Sequence, residues 1–458
     1  MKFSKTSRRA FLKSLGLAIG GFALSSCGSG GSDGVGNGLG GNPILFPGGY
    51  IFSRFVREGD HLPGGGVIAD FTGAVVIHDN SEVVFAAEDE TGNQGIYRAY
   101  FDRAAFAPQR ATDIRKVLRQ GDVLPDGRKV ERIGRFAANL HHSIAVILQT
   151  SHPTEGEELI GMQSRIYFSE AMGPFLPLLE PFTDLPDGTG RFGLNFGDLD
   201  LHENDDLLVT ANYSDDTAFP REGLFFIPGA HHPSGSKLFS NRDLVPDADG
   251  IIAGIGLIDL NDDSNFVCQV RTETPASLRG RGRGGNTPTA VVAGRARDLG
   301  SISLRGAPEG LDVSPAVRSR GGFLEGDSIY GPRVGRDGKV AQIVHLNDDD
   351  LVLAVGEQEL FRAGGTVSSD EVSSMWGPVL GRNGLLYICL HSEERQDLVA
   401  SDGQAFRTYL SQDDEIDGLT VDSIGFGFMP KQVDKDGIMA FYGDFSDNTA
   451  AVVLGLPT

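Results

Sequence analysis

The chain has 458 residues, of which 40% are hydrophobic and 22% are charged, and its formal net charge is −22. This composition is that of a folded globular protein, and it excludes a disordered or membrane-embedded chain. The negative charge also argues against a nucleic-acid-binding surface, which is typically basic. Glycine contributes 63 residues, roughly twice its average usage, which favours many turns and short strands over long helices.

The first 26 residues show the features of an export signal. Residues 7–13 read SRRAFLK and precede a short apolar run at 15–26. This run is too short for a transmembrane helix, which needs about 20 apolar residues, but it suits the core of a signal peptide. The segment resembles the twin-arginine signal of exported proteins, and the resemblance implies that Arg8 and Arg9 direct export.

Residues 24–27 read LSSC and resemble a lipobox. The resemblance implies cleavage before Cys27 and lipidation of this cysteine, whose acyl chains would anchor the mature protein to a membrane. Residues 28–42 contain eight glycines and too little apolar surface to fold, so residues 27–42 are predicted to be a lipidated cysteine with a flexible tether. We therefore expect an extracytoplasmic, membrane-anchored lipoprotein, in the periplasm or at the cell surface.

A turn followed by an apolar strand recurs seven times along the rest of the chain. The copies are HDNSEVVFA (78–86), HHSIAVILQ (141–149), ENDDLLVTA (203–211), NDDSNFVCQ (261–269), GRDGKVAQI (335–343), GRNGLLYIC (381–389) and DKDGIMAFY (434–442). They align on Ser81, Ser143, Asp206, Ser264, Gly338, Gly384 and Gly437. The turn residues tolerate positive φ angles, and the apolar residues that follow suit a strand.

Each copy has room for about four strands. A second apolar segment follows most first strands, as at 95–101, and an acidic turn with a proline recurs, as at 59–63 (GDHLP) and 121–125 (GDVLP). A unit of this size without a helical pattern matches a propeller blade. The sequence therefore predicts an all-β fold in which residues 43–458 form one seven-bladed β-propeller; a sandwich, a β-solenoid or two smaller domains are the alternatives.

The repeat resembles uncharacterised secreted bacterial tandem-repeat proteins that have a propeller-like N-x-x-G-x-V-x-F strand and a G-D-x-x-P turn. Residues 79–85 and 59–63 carry the resemblance, although Ser81 stands where the pattern has glycine. These families are known by their fold more than by an activity. The resemblance therefore implies a propeller and adds little about chemistry.

The two ends of the chain are predicted to close the ring. The seventh copy lacks the last strand that precedes each acidic turn, and residues 50–56 stand before the first acidic turn as residues 114–118 stand before the second. We expect residues 50–56 to complete the seventh blade, because closure removes exposed sheet edges. The side chains expected to be partly buried by this pairing are Ile51, Phe52, Phe55 and Val56.

Few cysteines or histidines stand in a spacing that indicates chemistry. Cys268 and Cys389 fall in non-adjacent copies, so we expect them to be small core residues. The pairs His141-His142 and His231-His232 are expected on strands, where adjacent side chains point to opposite faces and cannot hold one ion. The remaining candidates, which lack a zinc-site spacing, are His61, His202, His345 and His391.

The charged runs are also explained without a ligand. The carboxylate-rich segments 204–206, 261–263, 347–350 and 413–415 fit turns, and none matches a calcium-binding loop. The Arg-Gly run at 278–286 is predicted to be an exposed loop rather than a nucleic-acid site. We therefore assign no catalytic residue, no metal ligand and no cofactor from the sequence.

Three functions remain open at this point. The preferred one is a lipid-anchored binding or scaffold module whose ligand is a protein or a carbohydrate, and it follows from the repeat, the anchor and the lack of a recognisable nucleophile. The alternative is a hydrolase or lyase with carboxylates at the axial channel of the propeller. A purely structural envelope protein is the third. Converging buried carboxylates or a bound ion in the channel would favour the enzyme.

Export and anchoring can be tested separately. We expect Arg8→Lys combined with Arg9→Lys to leave the precursor in the cytoplasm, because the twin-arginine pair is the recognised feature. We expect Cys27→Ala to release the protein or stall it, because the lipid attachment site is gone. Cell fractionation followed by immunoblotting measures both effects. Normal membrane fractionation of both variants would contradict the two assignments.

Overall fold

The computed structural model describes residues 46–458 apart from 79–80, 106, 140, 152–162, 216–219, 231–234, 245–250, 262, 274–288, 306–317, 320–322, 325–328, 336–337, 348–349, 357, 368–369, 382, 394 and 428–430. The predicted export residues Arg8 and Arg9, the lipidation site Cys27, the tether and the Arg-Gly run lie outside the described residues. The part of the chain that is described consists of strands and turns without a helix. It therefore offers no helix that could cross a membrane.

The described strands form six four-stranded antiparallel sheets, one five-stranded sheet that includes the first strand of the chain, and two short two-stranded pairs. The first strand of the chain is β1 (Tyr50–Arg57). Blade 1 contains β2 (Ile68–His78), β3 (Glu82–Asp89), β4 (Gln94–Tyr100) and β5 (Ile114–Arg119). Blade 2 contains β6 (Lys129–Ala138), β7 (Ile144–Ser151), β8 (Ser164–Ser169) and β9 (Leu176–Leu179). Blade 3 contains β10 (Gly190–Leu201), β11 (Leu207–Asp215), β12 (Arg221–Ile227) and β13 (Ser236–Ser240).

The remaining blades follow in chain order. Blade 4 contains β14 (Ile251–Leu260), β15 (Asn265–Glu273), β16 (Thr289–Arg295) and β17 (Asp298–Arg305). The short pair β18 (Arg318–Ser319) and β19 (Phe323–Leu324) precedes blade 5, which contains β20 (Ile329–Val334), β21 (Val340–Asn347), β22 (Asp350–Val355) and β23 (Gln358–Arg362). The short pair β24 (Thr366–Val367) and β25 (Asp370–Glu371) precedes blade 6, which contains β26 (Ser374–Leu380), β27 (Leu386–His391), β28 (Gln396–Ser401) and β29 (Phe406–Ser411). Blade 7 contains β31 (Leu419–Gly425), β32 (Met439–Phe445) and β33 (Ala450–Pro457), with β30 (Glu415–Ile416) paired to β31.

The sheets are arranged as a ring, and the predicted seven-bladed β-propeller is confirmed. The first strands of successive blades contact one another from β2 through β6, β10, β14 and β20 to β26, and β32 of blade 7 contacts β2. The first strand of each blade thus lies at the centre of the ring. The charged side chains that these strands carry are consequently brought together around one axis.

The blades are held together by strands that are buried on both faces. In β3, Val83 and Phe85 pack in a cluster shared with blade 7, whereas Val84 and Ala86 pack in a cluster shared with blade 2. Alternate residues of a strand point to opposite faces, so a strand between two neighbouring blades needs apolar residues at every position. This explains the uninterrupted run from Val83 to Ala87 and its counterparts in the other repeats.

The turn between the first and second strands confirms the repeat and corrects its alignment. One residue of this turn has a positive φ in each blade: Ser81 (72°), His142 (61°), Asp205 (60°), Ser264 (57°), Gly338 (77°), Gly384 (85°) and Gly437 (82°). The predicted anchors Ser143 and Asp206 are therefore displaced by one residue in copies two and three. The displacement arises because His142 and Asp205 adopt there the left-handed conformation that Ser or Gly adopts in the other copies.

The residue that opens this turn, three positions before the positive φ, is called here the cap position. It is occupied by His78, Asn139, His202, Asn261, Gly335, Gly381 and Asp434, and in six blades its N–H donates to the carbonyl four residues later. In blades 2, 4 and 7 the side-chain oxygen also accepts two N–H groups of its own turn. The cap position therefore normally satisfies the backbone of the turn.

Ring closure follows the prediction. β1 pairs antiparallel with β33, from Tyr50 opposite Pro457 to Arg57 opposite Ala451. Phe55 and Val56 are fully buried, while Ile51 and Phe52 are partly buried. The fourth strand of blade 7 therefore comes from the opposite end of the chain.

Truncation tests this closure. Deleting residues 43–57 should expose the edge of β33 and remove the buried side chains of Phe55 and Val56, each of which contributes roughly 1.5–3 kcal/mol. Deleting residues 28–42 should change the stability little, because such a glycine-rich segment buries little apolar surface. Thermal unfolding of the two truncated chains, both made without the signal peptide, compares them. Equal melting temperatures would contradict closure by β1.

Candidate binding cleft between blades 1 and 2

A cavity of about 390 Å³ lies between blades 1 and 2. Its walls include the apolar side chains of Val84, Leu118, Leu124, Ile144 and Phe175, and its polar lining includes His78, Glu82, Arg98, Lys116, Asp122 and His142. A volume of this order with apolar walls and a few convergent polar groups is typical of small-ligand sites. The cleft is therefore the candidate ligand-binding site.

His78 is a buried histidine at the end of β2. It occupies the cap position of blade 1, and only 1% of its surface is exposed. Neither ring nitrogen makes a hydrogen bond to any described residue. Burial, together with the positive charges of His142 and Lys431, lowers the pKa of His78 to about 3. The imidazole is thus neutral, and its nitrogen lone pair is available at neutral pH.

Glu82 and His142 meet His78 from two different blades. Glu82 opens β3 and is opposite His78 in the sheet, with His78 Nδ1 3.9 Å from Glu82 Oε2. His142, in the turn of blade 2, places its Nδ1 2.7 Å from Glu82 Oε2. Burial raises the pKa of Glu82, and the charges of His142 and Arg98 oppose this rise. Ligand atoms of the three residues all lie within 4.8 Å of one another.

Cations and exposed apolar side chains surround this cluster. Arg98 Nη1 lies 3.5 Å from Glu82 Oε1, and Lys116 Nζ lies 2.8 Å from Asp122 Oδ1. Val123 and Met172 also line the cleft, yet 71% and 45% of their surfaces are exposed. The cleft thus joins a buried polar floor to an apolar rim, which is the arrangement expected where a ligand excludes water.

Blade 3 carries the same residue types at the corresponding positions but pairs them differently. His202 takes the cap position, and Asp206 corresponds to Glu82. Arg297 Nη2 lies 2.8 Å and 2.7 Å from the two carboxylate oxygens of Asp206, and Ser264 Oγ of blade 4 donates to Asp206 Oδ2 at 3.1 Å. His202 Nδ1 accepts from Asn204 N at 3.3 Å. The buried carboxylate in blade 3 is therefore fully paired within the protein.

A second cavity, of about 280 Å³, lies at the axis of the ring. The position two residues before the cap carries Asp200 in blade 3, Asp259 in blade 4 and Arg333 in blade 5, and all three are at least 94% buried. Lys431 Nζ reaches across the axis to Asp200 Oδ1 at 2.9 Å. Burial, with a smaller contribution from the charge of Asp200, raises the pKa of Asp259 to about 7.

The axial carboxylates also connect neighbouring blades. Leu260 N donates to Asp200 Oδ2 at 2.8 Å, and Val334 N donates to Asp259 Oδ2 at 2.8 Å. Each carboxylate thus accepts a backbone N–H from the next blade of the ring. Both groups have a structural role that accounts for their burial, because an unpaired buried N–H would be destabilising.

The structure describes both cysteines and one of the two histidine pairs that the sequence analysis considered. Cys268 and Cys389 are fully buried, as expected of core residues, and His231 and His232 lie outside the described residues. The expectation that His141 and His142 lie on a strand is wrong, because both lie in the turn before β7. The pair indeed does not converge on one point, but His142 converges with His78 of the neighbouring blade.

Sequence reasoning identified the residues of neither cluster, although the enzyme alternative placed carboxylates at the axial channel. His78 and His142 are 64 residues apart, so no local spacing connects them; the available signal was that both fall on the repeated turn in consecutive copies. The axial carboxylates stand in apolar strand ends that read LDL (199–201) and IDL (258–260). A charge repeated at the same place in an apolar segment was the signal for these.

Comparisons with known proteins found distant similarities to solved structures. No protein-family model and no curated protein matches the sequence. The fold is similar to a prolyl endopeptidase (10% identity, TM-score 0.43, 89% of this chain and 51% of that chain). It is also similar to the WD40 β-propeller domain of Doa1 (10%, 0.37, 89% and 97%) and to an ulvan lyase of a polysaccharide lyase family (12%, 0.42, 87% and 94%). The chain spans about half the length of the prolyl endopeptidase.

The axial carboxyl predicts a specific dependence of stability on pH. An unfolded aspartate ionises near about pH 4, whereas folded Asp259 keeps its proton up to about pH 7. Between these values the unfolded state binds fewer protons, so this group makes the folded state less stable as the pH rises. Asp259→Asn removes the effect. The free energy of unfolding of the variant, relative to that of the wild type, should increase by about 1.4 kcal/mol for each pH unit in this range.

Urea unfolding of the wild type and the variant at several pH values measures this difference. Because the other titrating groups are common to both proteins, they cancel in the comparison. A difference that stays constant between about pH 4 and pH 7 would show that Asp259 titrates normally.

Proposed function

We propose that this protein is an exported, lipid-anchored propeller that acts as a binding module and takes its ligand in the cleft between blades 1 and 2. The observation that supports the proposal is the combination of a buried polar floor with the exposed apolar rim formed by Val123 and Met172. Exposed apolar side chains beside a cavity with polar groups suit contact with a ligand. The predicted tether would hold this cleft close to a membrane surface.

The chemistry of the cleft favours a saccharide as the ligand. Carboxylates such as Glu82 and Asp122 accept hydrogen bonds, while Arg98 and Lys116 donate them. A sugar ring presents both donors and acceptors on its hydroxyl groups and apolar C–H faces that suit the walls of the cleft. The net charge of −22 disfavours a long polyanion. The proposed ligand is therefore the end of a glycan of the cell envelope or its surroundings.

A matched pair of rim variants tests the proposal. The detergent-solubilised mature protein is applied to an array of oligosaccharides, and the best binder is titrated against both variants. Val123→Asp should weaken binding about tenfold or more, which corresponds to about 1.4 kcal/mol, because it adds a charge at the apolar rim. Leu244→Asp is the control, since Leu244 occupies the same turn position before blade 4 and is 76% exposed.

Two results would contradict the proposal. If no saccharide on the array binds, the proposed ligand class is wrong. Equal affinities of the wild type and Val123→Asp would place the ligand outside the cleft.

One observation supports the enzyme as a second candidate. Asp259 is a buried carboxyl with a pKa of about 7 beside Asp200, and a general acid with a pKa near the working pH is what a hydrolase or lyase needs. Both axial carboxylates, however, already hold neighbouring blades together. Turnover of an array saccharide that is lost in Asp259→Asn and retained in Val123→Asp would favour the channel over the cleft.

A further inference from the structure

We propose that His78, Glu82 and His142 form a Zn²⁺ site at the floor of the cleft, with one coordination position open to the cavity. The site lies in the same cleft as the proposed function and deepens it, because a metal there would bind an oxygen atom of the saccharide. The geometry that supports the metal is independent of the identity of the ligand.

The donor atoms are those of an open zinc site. Two imidazoles and one carboxylate, with a fourth position left for water or a ligand, are a recurrent set in zinc proteins. Bond lengths of about 2.0–2.2 Å place tetrahedral ligand atoms about 3.3–3.6 Å apart, and the three side chains already lie within 4.8 Å of one another. A bound ion would require side-chain rotations that shorten the longer separations and lengthen the 2.7 Å between His142 Nδ1 and Glu82 Oε2. Two nitrogen donors with a single carboxylate suit Zn²⁺ better than Ca²⁺ or Mg²⁺, which require oxygen ligands.

His78 provides the second, independent observation. In blades 2, 4 and 7 the cap side chain accepts N–H groups of its own turn, and in blade 3 His202 does the same through Nδ1. The side chain of His78 is 1% exposed, and its two ring nitrogens are buried and make no such bond among the described residues. A buried polar group without a partner is destabilising. A metal ion between His78, Glu82 and His142 would supply that partner.

Blade 3 shows how the same positions behave when no metal is needed. There Arg297 lies within 2.8 Å of both oxygens of Asp206 and neutralises the buried carboxylate directly. In blade 1 the guanidinium that approaches the carboxylate is that of Arg98, from the same blade, and its Nη1 is 3.5 Å from Glu82 Oε1, which leaves Oε2 facing the two histidines. The carboxylate of blade 1 thus faces two imidazole rings, with His142 Nδ1 at 2.7 Å from Oε2, rather than a guanidinium that pairs with both of its oxygens. Zn²⁺ binding at His142 Nδ1 would displace the proton that this nitrogen donates to Glu82.

This proposal reverses the expectation, based on spacing in the sequence, that no histidine binds a metal. That expectation considered histidines adjacent in the chain. The propeller instead places the cap of blade 1 against the turn of blade 2, so the ligands come from two repeats.

The test uses Zn²⁺ alone as the probe. The mature protein is stripped with a chelator, dialysed and titrated with Zn²⁺ by calorimetry, and the metal content is measured by mass spectrometry after desalting. We expect one Zn²⁺ per chain. His78→Asn combined with His142→Asn should weaken this binding about 100-fold or more, because it removes both nitrogen donors. Asn should fold at both positions, since it is the cap residue of blades 2 and 4 and it tolerates a positive φ.

His202→Asn is the matched control, because it makes the same substitution at the cap position of a blade whose carboxylate is already paired. It should bind one Zn²⁺ as tightly as the wild type. The melting temperature of the wild type should rise with Zn²⁺ through preferential binding to the folded state, and that of the double variant should not. Equal Zn²⁺ affinities of the wild type and the double variant, or no stoichiometric binding to the wild type, would overturn the proposal.

The proposed metal site and the proposed saccharide ligand can be contradicted separately. Stoichiometric Zn²⁺ binding without any array signal would support the metal site and contradict the proposed ligand. Saccharide binding that is equal in stripped and Zn²⁺-loaded protein would support the cleft as a binding site and contradict coordination of the saccharide by the metal.

Discussion

The pairing of β1 with β33 is the interaction on which the rest of the structure depends. It joins residues that are about 400 positions apart and turns an open array of sheets into a closed ring. Both cavities lie where blades meet, and the residues that line them come from different repeats. Their mutual distances are therefore defined only when every blade is held against its neighbours, which closure achieves.

Polar contacts reinforce the pairing between β1 and blade 7, which are far apart in the chain. The buried guanidinium of Arg54 lies 4.5 Å from the ring centroid of Phe445 and donates to Thr449 Oγ1 at 2.6 Å. Asp417 Oδ2 accepts from Arg54 N at 3.0 Å and from Arg57 Nη2 at 2.7 Å. Apolar packing alone would tolerate a shift of β1 along β33. Directional hydrogen bonds to Arg54 and Arg57 specify one register, because a slip would leave charged groups buried and unpaired.

The architecture could be predicted from the sequence because it depends on local patterns. Turn residues such as Ser81 and Gly437 and the apolar runs after them need only their own neighbours to be recognised, and they predicted seven blades and closure by residues 50–56. The residues of the cleft cluster and of the axial cluster could not be predicted in this way. His78 approaches His142, and Asp200 approaches Lys431, only because particular blades are adjacent in the ring. Local spacing carries no information about such contacts until the ring and its register are known.

The cap position shows how a repeat fold can acquire chemistry at one site without losing its structure. The turn requires a backbone hydrogen bond and a positive φ three residues later, and glycine meets these requirements in blades 5 and 6 with no side chain. The cap side chain is therefore dispensable for the turn itself. Asn139 and Asn261 use it to satisfy backbone N–H groups, whereas His78 directs it toward Glu82 and the neighbouring blade. The buried imidazole of His78 does not accept N–H groups of its own turn and so does not stabilise that turn. A partner that stabilises it would therefore lie at the interface between blades 1 and 2.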